Sequence, residues 1–315
     1  MNDQMKTREK PTILIALGGN ALIQKGQEGT IVQQFRNLRI PIRQIASLIE
    51  DYHIIITHGN GPQVGNLLLQ QEACDEVPKL PLEILVAQTQ GQIGYMIESV
   101  LDEALMEKGI NSQPICSLIT YVVVDKNDTA FDHPTKPIGP IFTESQTHGL
   151  TYPIIETPKG FRRVVASPEP VTIIEKHEIK QLIEMGFIVI CCGGGGIPVV
   201  REGRAFNGID AVLDKDLASE CLADEVGVGV FLIATGVDGV MLNFGTESQR
   251  LLDRVTPSEA LEYERQGHFS TGAMLPKVRA ASRFVKRTGN RALITHIESI
   301  AEAVSGKAGT TFVPD

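Results

Sequence analysis

Glycine turns in this chain fall repeatedly at the ends of short β-branched and aliphatic runs, and a stretch of helical spacing follows each of the first two. Ile13 to Leu17 runs into Gly18-Gly19-Asn20, and His53 to Thr57 runs into His58-Gly59-Asn60-Gly61-Pro62. Further on, Phe187 to Cys192 meets Gly193-Gly194-Gly195-Gly196, and Val228 to Ala234 meets Thr235-Gly236-Val237-Asp238-Gly239. After the first turn Ile31, Phe35, Leu38, Ile42, Ile45 and Ile49 recur at intervals of three or four, which makes one apolar helix face. The alternation predicts an α/β fold, a mainly parallel sheet with helices on both faces. Pro41 is expected to kink or split the first helix. Other helices are predicted over 63–73, 92–108, 173–185, 213–222 and 273–287, and strands over 117–124 and 292–295.

Regularity fails between Asp125 and Pro170, where seven prolines stand among polar residues and short β-like pieces such as Arg163 to Ala166. Residues 125–170 therefore read as a small insertion of hairpins standing off the main sheet, within a domain spanning 11–313. With 315 residues, 42% of them hydrophobic, the chain buries a sizeable core without staples. Lysine plus arginine number 29 against 38 acids, and the resulting net charge of −9 argues against a partner that is nucleic acid or an anionic membrane. The longest apolar stretch, Val226 to Ala234, is too short to span a bilayer. Five cysteines at neither C-x-x-C nor zinc-finger spacing read as buried thiols of a cytoplasmic protein.

Turns at the carboxyl ends of parallel strands lie where ligands sit in open α/β sheets, and a helix N-terminus offers N–H donors to an anion, so a phosphate is the expected guest. Gly59, Gly61 and Gly65 spell a relative of the dinucleotide fingerprint. The acid that fingerprint wants about 20 residues on is represented only by Glu83, in the non-strand-like 78–85, which argues against a dehydrogenase. Gly306-Lys307 is followed by Ala308, so there is no P-loop. Phosphoryl transfer calls for positive charge, and three lysines have unusual settings: Lys136 between Pro134 and Pro137, Lys215 between Asp214 and Asp216, and Lys277 after Pro276. A lysine bracketed by carboxylates is oriented and kept protonated. The histidines at 133, 148, 177, 268 and 296 show no metal-ligand spacing, and Arg162 and Arg163 beside Lys159 read as a solvated face.

Taken together, Ala16 to Ala21, His58 to Gly65, Thr89-Gln90-Gly91 with Ile93-Gly94-Tyr95, Pro134 to Pro140, Gly193 to Val199, Ala211 to Asp216 and Met274 to Lys277 closely resemble the carbamate kinases of the amino-acid kinase family. The resemblance covers nearly the whole chain. It implies a three-layer αβα sandwich around a mostly parallel eight-stranded sheet, a protruding subdomain at the insertion, and a homodimer. The implied activity is reversible phosphoryl transfer between MgATP and carbamate, giving carbamoyl phosphate and ADP and run toward ATP, with Mg2+ carried on the nucleotide. Gly18, Gly19, Asn20, Gly59, Asn60 and Gly61 would line the phosphoryl path. Lys215 would stabilise its charge, Asp214 orient the lysines, Lys136 reach in from the insertion, and Lys277 hold the nucleotide phosphates together with Met274. Gly193, Gly194, Gly195 and Gly196 would let backbone approach the small substrate, and Thr235, Gly236, Val237 and Asp238 would form part of the nucleotide turn. The pattern departs from the family at Glu156 to Arg162 and at Phe269 to Met274. Two rival readings share the scaffold: a sister kinase acting on another small acid such as N-acetylglutamate, and a non-catalytic nucleotide-binding regulator.

Overall fold

The run Thr12–Leu17 is apolar at almost every position because it forms the strand β1 in the middle of a sheet covered on both faces, where alternation is not needed. A computed structural model describes residues 10–157, 160–270 and 274–315. The remaining strands of the main sheet are β2 (His53–His58), β3 (Ile115–Ser117), β4 (Ile188–Ile190), β5 (Val230–Thr235), β6 (Arg254–Val255), β7 (Arg291–His296) and β8 (Thr310–Phe312). Their spatial order is β6-β8-β7-β5-β1-β2-β4-β3, an eight-stranded sheet. The six strands from β7 to β3 are mutually parallel, and β8 reverses against β7.

Helices α1 (Ile31–Ala46), α2 (Gly61–Glu72), α3 (Leu82–Glu107), α4 (Lys176–Glu184), α5 (Lys215–Val226), α6 (Pro257–Arg265), α7 (Leu275–Thr288) and α8 (Ile300–Val304) complete the layers. Odd and even positions of β1 go to opposite cores: Ile13, Ile15 and Leu17 pack with α1 and α3, while Leu14 and Ala16 pack toward α5 and α7. Each fully buried aliphatic side chain contributes about 1.5–3 kcal/mol, so the sheet is held from both sides. None of the described helices is long and apolar enough to cross a membrane.

Several predicted boundaries move. Helix α1 runs unbroken through Pro41, whose ring is buried in the core, so tertiary packing offsets the backbone bond that proline cannot make. Helix α3 begins ten residues before the predicted start, at Leu82, with Asp210 accepting from the Leu82 N–H at 3.1 Å. The strand expected over 117–124 is two strands in two sheets. Between them the Gln90 side chain bonds both the N–H (3.0 Å) and the carbonyl (3.2 Å) of Thr120 and turns the chain. The second piece, Tyr121–Val124, joins Pro170–Ile173, Ile197–Glu202 and Ala205–Gly208 in a four-stranded sheet. Ile173 is thus a strand residue, and α4 starts at Lys176.

Inside the predicted insertion lies a separate antiparallel sheet of Lys136–Phe142, Gly160–Val165 and Ile154–Thr157. It rests on α2 by direct backbone contact, because a Cβ on Gly65 would fall on the backbone of Gly139. Arg162 donates to the Gly139 carbonyl at 2.8 Å, and Arg163 pairs with Glu72 of α2 while stacking 4.1 Å over the Tyr152 ring. Residues Pro158 and Lys159, and with them part of the atypical stretch 156–162, lie outside the described residues. Gly65→Ala is expected to destabilise the protein by about 1–3 kcal/mol, the cost of forcing a methyl group into closed packing. Thermal unfolding of the variant checks this, and an unchanged midpoint would refute the backbone contact.

Candidate active site

Four turns meet at the carboxyl edge of the central strands. Gly18 follows β1 with its N–H on the Ala234 carbonyl of β5 at 2.9 Å, and a Cβ there would come 2.9 Å from that same oxygen. The next residues make a short turn, Gly19–Ala21, and Asn20 lies against Gly236, where an added Cβ would collide with its amide. After β2, Asn60 precedes α2 but spends its amide on the Thr89 hydroxyl of α3 at 2.8 Å. Helix α2 therefore starts without a side-chain cap, and the Gly61 and Gln63 N–H groups of its first turn, either side of Pro62, have no acceptor among the described residues and are open to a ligand. Gly59 lies between Gly19 and the Lys215 stem, 3.8 and 3.6 Å from where its Cβ would be, and Gly61 is beside the Pro137 carbonyl of the insertion.

The four-glycine turn has a more immediate cause than a substrate. Cβ atoms at Gly193, Gly194, Gly195 and Gly196 would strike His58, Asn60, Leu213 and Val122 respectively. Three of these glycines have positive φ (67, 93 and 84°), and Cys192 before them is itself left-handed at 47°. The turn is thus moulded to the protein's own side chains, and in this way it joins the second glycine turn to the loop before α5.

Charge arrives from three directions. Lys136 comes from the insertion sheet, Lys215 opens α5, and Lys277 sits in the first turn of α7. Asp214 caps α5, its Oδ1 accepting from the Asp216 N–H at 2.9 Å, while its Oδ2 accepts from Lys136 Nζ at 2.6 Å. Asp216, only 2% exposed, takes Lys215 on Oδ1 and Lys277 on Oδ2, the latter at 2.7 Å. The sequence reading gave the orienting role for all the lysines to Asp214. In the structure Asp214 holds one and Asp216 holds two, and the D-K-D triplet was the signal that marked Asp216. Burial alone would raise the Asp216 carboxyl, but Lys215 and Lys277 hold it well below the ordinary range. Burial pulls Lys215 down, Asp216 opposing, whereas for Lys277 the attraction of Asp216 outweighs burial and raises it.

Of the expected nucleotide-turn residues, Thr235 ends β5 with its carbonyl accepting from Ile297 N–H at 2.9 Å, and Gly236 touches Asn20. Val237 and Asp238 continue outward, Val237 half-buried and Asp238 exposed, with no bond to the lysine cluster among the described residues. Met274 precedes α7 and packs on the core, while Thr271 to Ala273 lie outside the described residues. Sequence reasoning missed the supporting roles of Thr89 and Gln90; for His58 it expected a bond to backbone, and the ring bonds the Gly59 carbonyl, all three residues lying under the glycine turns.

A parallel sheet with phosphate-suited turns at one edge and lysines collected on two carboxylates defines a phosphoryl-transfer scaffold. Residues 11–296 match the model of the amino acid kinase family, and the chain belongs to that family. It is 46% identical over 311 residues to the carbamate kinase of Thermococcus kodakarensis, covering 96% of this chain and 98% of that protein. It is also 46% identical to a carbamate kinase-like protein of Escherichia coli, over 95% of this chain and 97% of the other. The solved carbamate kinase of Giardia lamblia bound to AMP-PNP superposes with a TM-score of 0.89 at 38% identity, covering 97% of this chain and 99% of that one.

Behind the lysines, α5 and α7 are clamped by charge. Arg287 of α7 pairs with Asp224 at 2.5 Å and lies 3.7 Å from Glu220 Oε1, while Arg283 reaches Glu169 at 2.7 Å on the stem of the insertion. Glu220 is 3% exposed and its Oε1 makes no hydrogen bond among the described residues. Burial outweighs the two arginines and pushes the carboxyl up from 4.5 to about 7. A carboxyl whose folded value lies above its unfolded one binds its proton more tightly when folded. Its contribution is intact below pH 4.5 and is lost as pH rises through 7. Glu220→Gln, which cannot ionise, is expected to be more stable than the parent by about 3 kcal/mol at pH 8 and little different at pH 4.5. Chemical denaturation at the two pH values checks the sign, and equal effects at both would refute it.

Proposed function

We propose that this chain is a carbamate kinase, transferring the γ-phosphoryl of ATP reversibly to carbamate and run toward ATP from carbamoyl phosphate and ADP. The observation that carries the reading is the convergence of Lys136, Lys215 and Lys277 on Asp214 and Asp216 beside glycine turns that present open N–H groups. Its relatives bear the same name over nearly their whole length. The same reading makes the protein a cytoplasmic homodimer.

The chemistry needs little from side chains except charge and position. Toward ATP, a β-phosphate oxygen of ADP attacks phosphorus, and the bond from phosphorus to the carbamate oxygen breaks with its electron pair going to carbamate. Atoms and charge balance without moving a proton, so no general base is required. Lys215 stabilises the charge on the transferring oxygens, Lys277 holds the nucleotide phosphates, and Lys136 closes on the group from the insertion. Gly18, Gly19, Asn20, Gly59, Asn60 and Gly61 line the path with donors. In the free enzyme Asp214 and Asp216 hold the ammonium groups in place, and incoming phosphate oxygens compete with these carboxylates for them. Both carboxylates are engaged by lysines, so Mg2+ would take its ligands from nucleotide phosphates and water, to supply further charge neutralisation.

The test is ATP formation from ADP, Mg2+ and carbamoyl phosphate in a coupled assay. The parent protein is expected to form ATP, and Lys215→Ala to lower kcat by roughly a hundredfold or more with the fold intact. No ATP from folded, ADP-binding protein would refute the acceptor, and a near-normal rate in the variant would refute the role of Lys215.

A further inference from the structure

His58 is the last residue of β2 and 2% exposed, and its place in the centre has no explanation in the charge chemistry above. Its one hydrogen bond among the described residues joins Nδ1 to the carbonyl oxygen of Gly59 at 3.2 Å. A carbonyl only accepts, so Nδ1 carries the hydrogen. Burial, with a smaller push from nearby Lys215, lowers the imidazole to about 4, so the ring is neutral at pH 7. A neutral ring with its hydrogen on Nδ1 has a bare lone pair on Nε2. That nitrogen lies at the glycine turn, 2.5 Å from where a Cβ of Gly193 would be, and has no protein donor among the described residues. The missing side chain at Gly193 thus leaves the ring its space, and the next residue of β2's turn, Gly59, adjoins the Lys215 stem.

An acceptor with no protein donor is satisfied by a ligand that brings an N–H to it. Among small acyl phosphates and the acids they release, the carbamoyl group differs from the acetyl group by carrying an amino group where the other has methyl. We infer that His58 is a specificity-determining residue whose Nε2 accepts a hydrogen bond from the amino group of the carbamoyl substrate, selecting an N–H-bearing acyl group over its methyl isostere. The inference rests on the proposed function and deepens it. Ionising the ring would turn the acceptor into a donor and place a like charge beside Lys215. Gln90 of α3, which shares the space over Gly193 with the ring, carries no charge, and among the described residues Lys215 is the charged group that acts on the imidazole.

The experiment compares kcat/KM for carbamoyl phosphate and acetyl phosphate with ADP and Mg2+ in the parent protein, His58→Phe and His58→Gln. The ratio favouring carbamoyl phosphate is expected to fall about tenfold in His58→Phe, the worth of one neutral hydrogen bond. His58→Gln, which retains an acceptor oxygen on a flexible stem, is expected to recover most of the ratio. Loss on both substrates with an unchanged ratio would make His58 structural and overturn the inference, while activity of the parent on carbamoyl phosphate would still stand. An inactive parent would instead overturn the proposed function itself. A measurement independent of variant folding is the 15N spectrum of the histidine-labelled parent at pH 7. An unprotonated Nε2 on the ring that stays neutral through pH 6 is expected, and a proton found on Nε2 of His58 refutes the inference.

Discussion

Two ammonium groups share one buried carboxylate at Asp216, and the centre depends on that sharing. A lysine as deeply placed as Lys215 would lose its proton to burial if left alone, and an aspartate as deeply placed would gain one. Together, with Lys277 as the third member, the opposite charges counter what burial does to each of them. Such a cluster adds little net stability, since desolvation consumes most of the attraction. Its worth lies in fixing three charged atoms before a phosphate arrives. Because α5 and α7 pack side by side, the two lysines are placed by helix packing, with the carboxylate between them serving as a spacer.

The glycine turns do the complementary work for neutral donors. The central strands end together at one edge, and the residues just beyond them are small enough for neighbouring turns to interlock: Gly18 on β5, Gly236 on Asn20, Gly194 on Asn60. Asn60 illustrates the economy of the arrangement. By bonding Thr89 it stiffens the turn and at the same time leaves the start of α2 uncapped, so one side chain both builds the site and keeps donors free.

Much of this was legible from the residues. The alternation of buried runs and helical spacing gave the layers, and the positions of the glycines located the edge of the sheet that matters. The lysines were picked out by their neighbours, yet giving all of them to Asp214 missed the division of work, because Asp214 and Asp216 flank Lys215 equally in sequence and only the start of α5 sends one side chain to cap the helix and the other inward. The break at Thr120 escaped notice because Ile119 and Thr120 are themselves β-branched and lead straight into Val122 to Val124, while a side chain, Gln90, makes the turn. The reason for four glycines in a row was likewise hidden, since it resides in His58, Asn60, Leu213 and Val122, residues distant in sequence. Pro41 shows the opposite failure: a strong local signal overridden by core packing.

The interlock at residues 193–196 bears on how such a protein can change over time. Each absent side chain there is matched by one present elsewhere, so a larger residue at any of the four positions requires a smaller or differently shaped partner on another element. Single replacements on either side of the match are penalised, and only paired ones pass. Descendants of this scaffold would therefore explore new chemistry chiefly through parts free of such reciprocity, the insertion sheet and the outer loops. The floor beneath the phosphoryl group would stay nearly unaltered through long divergence.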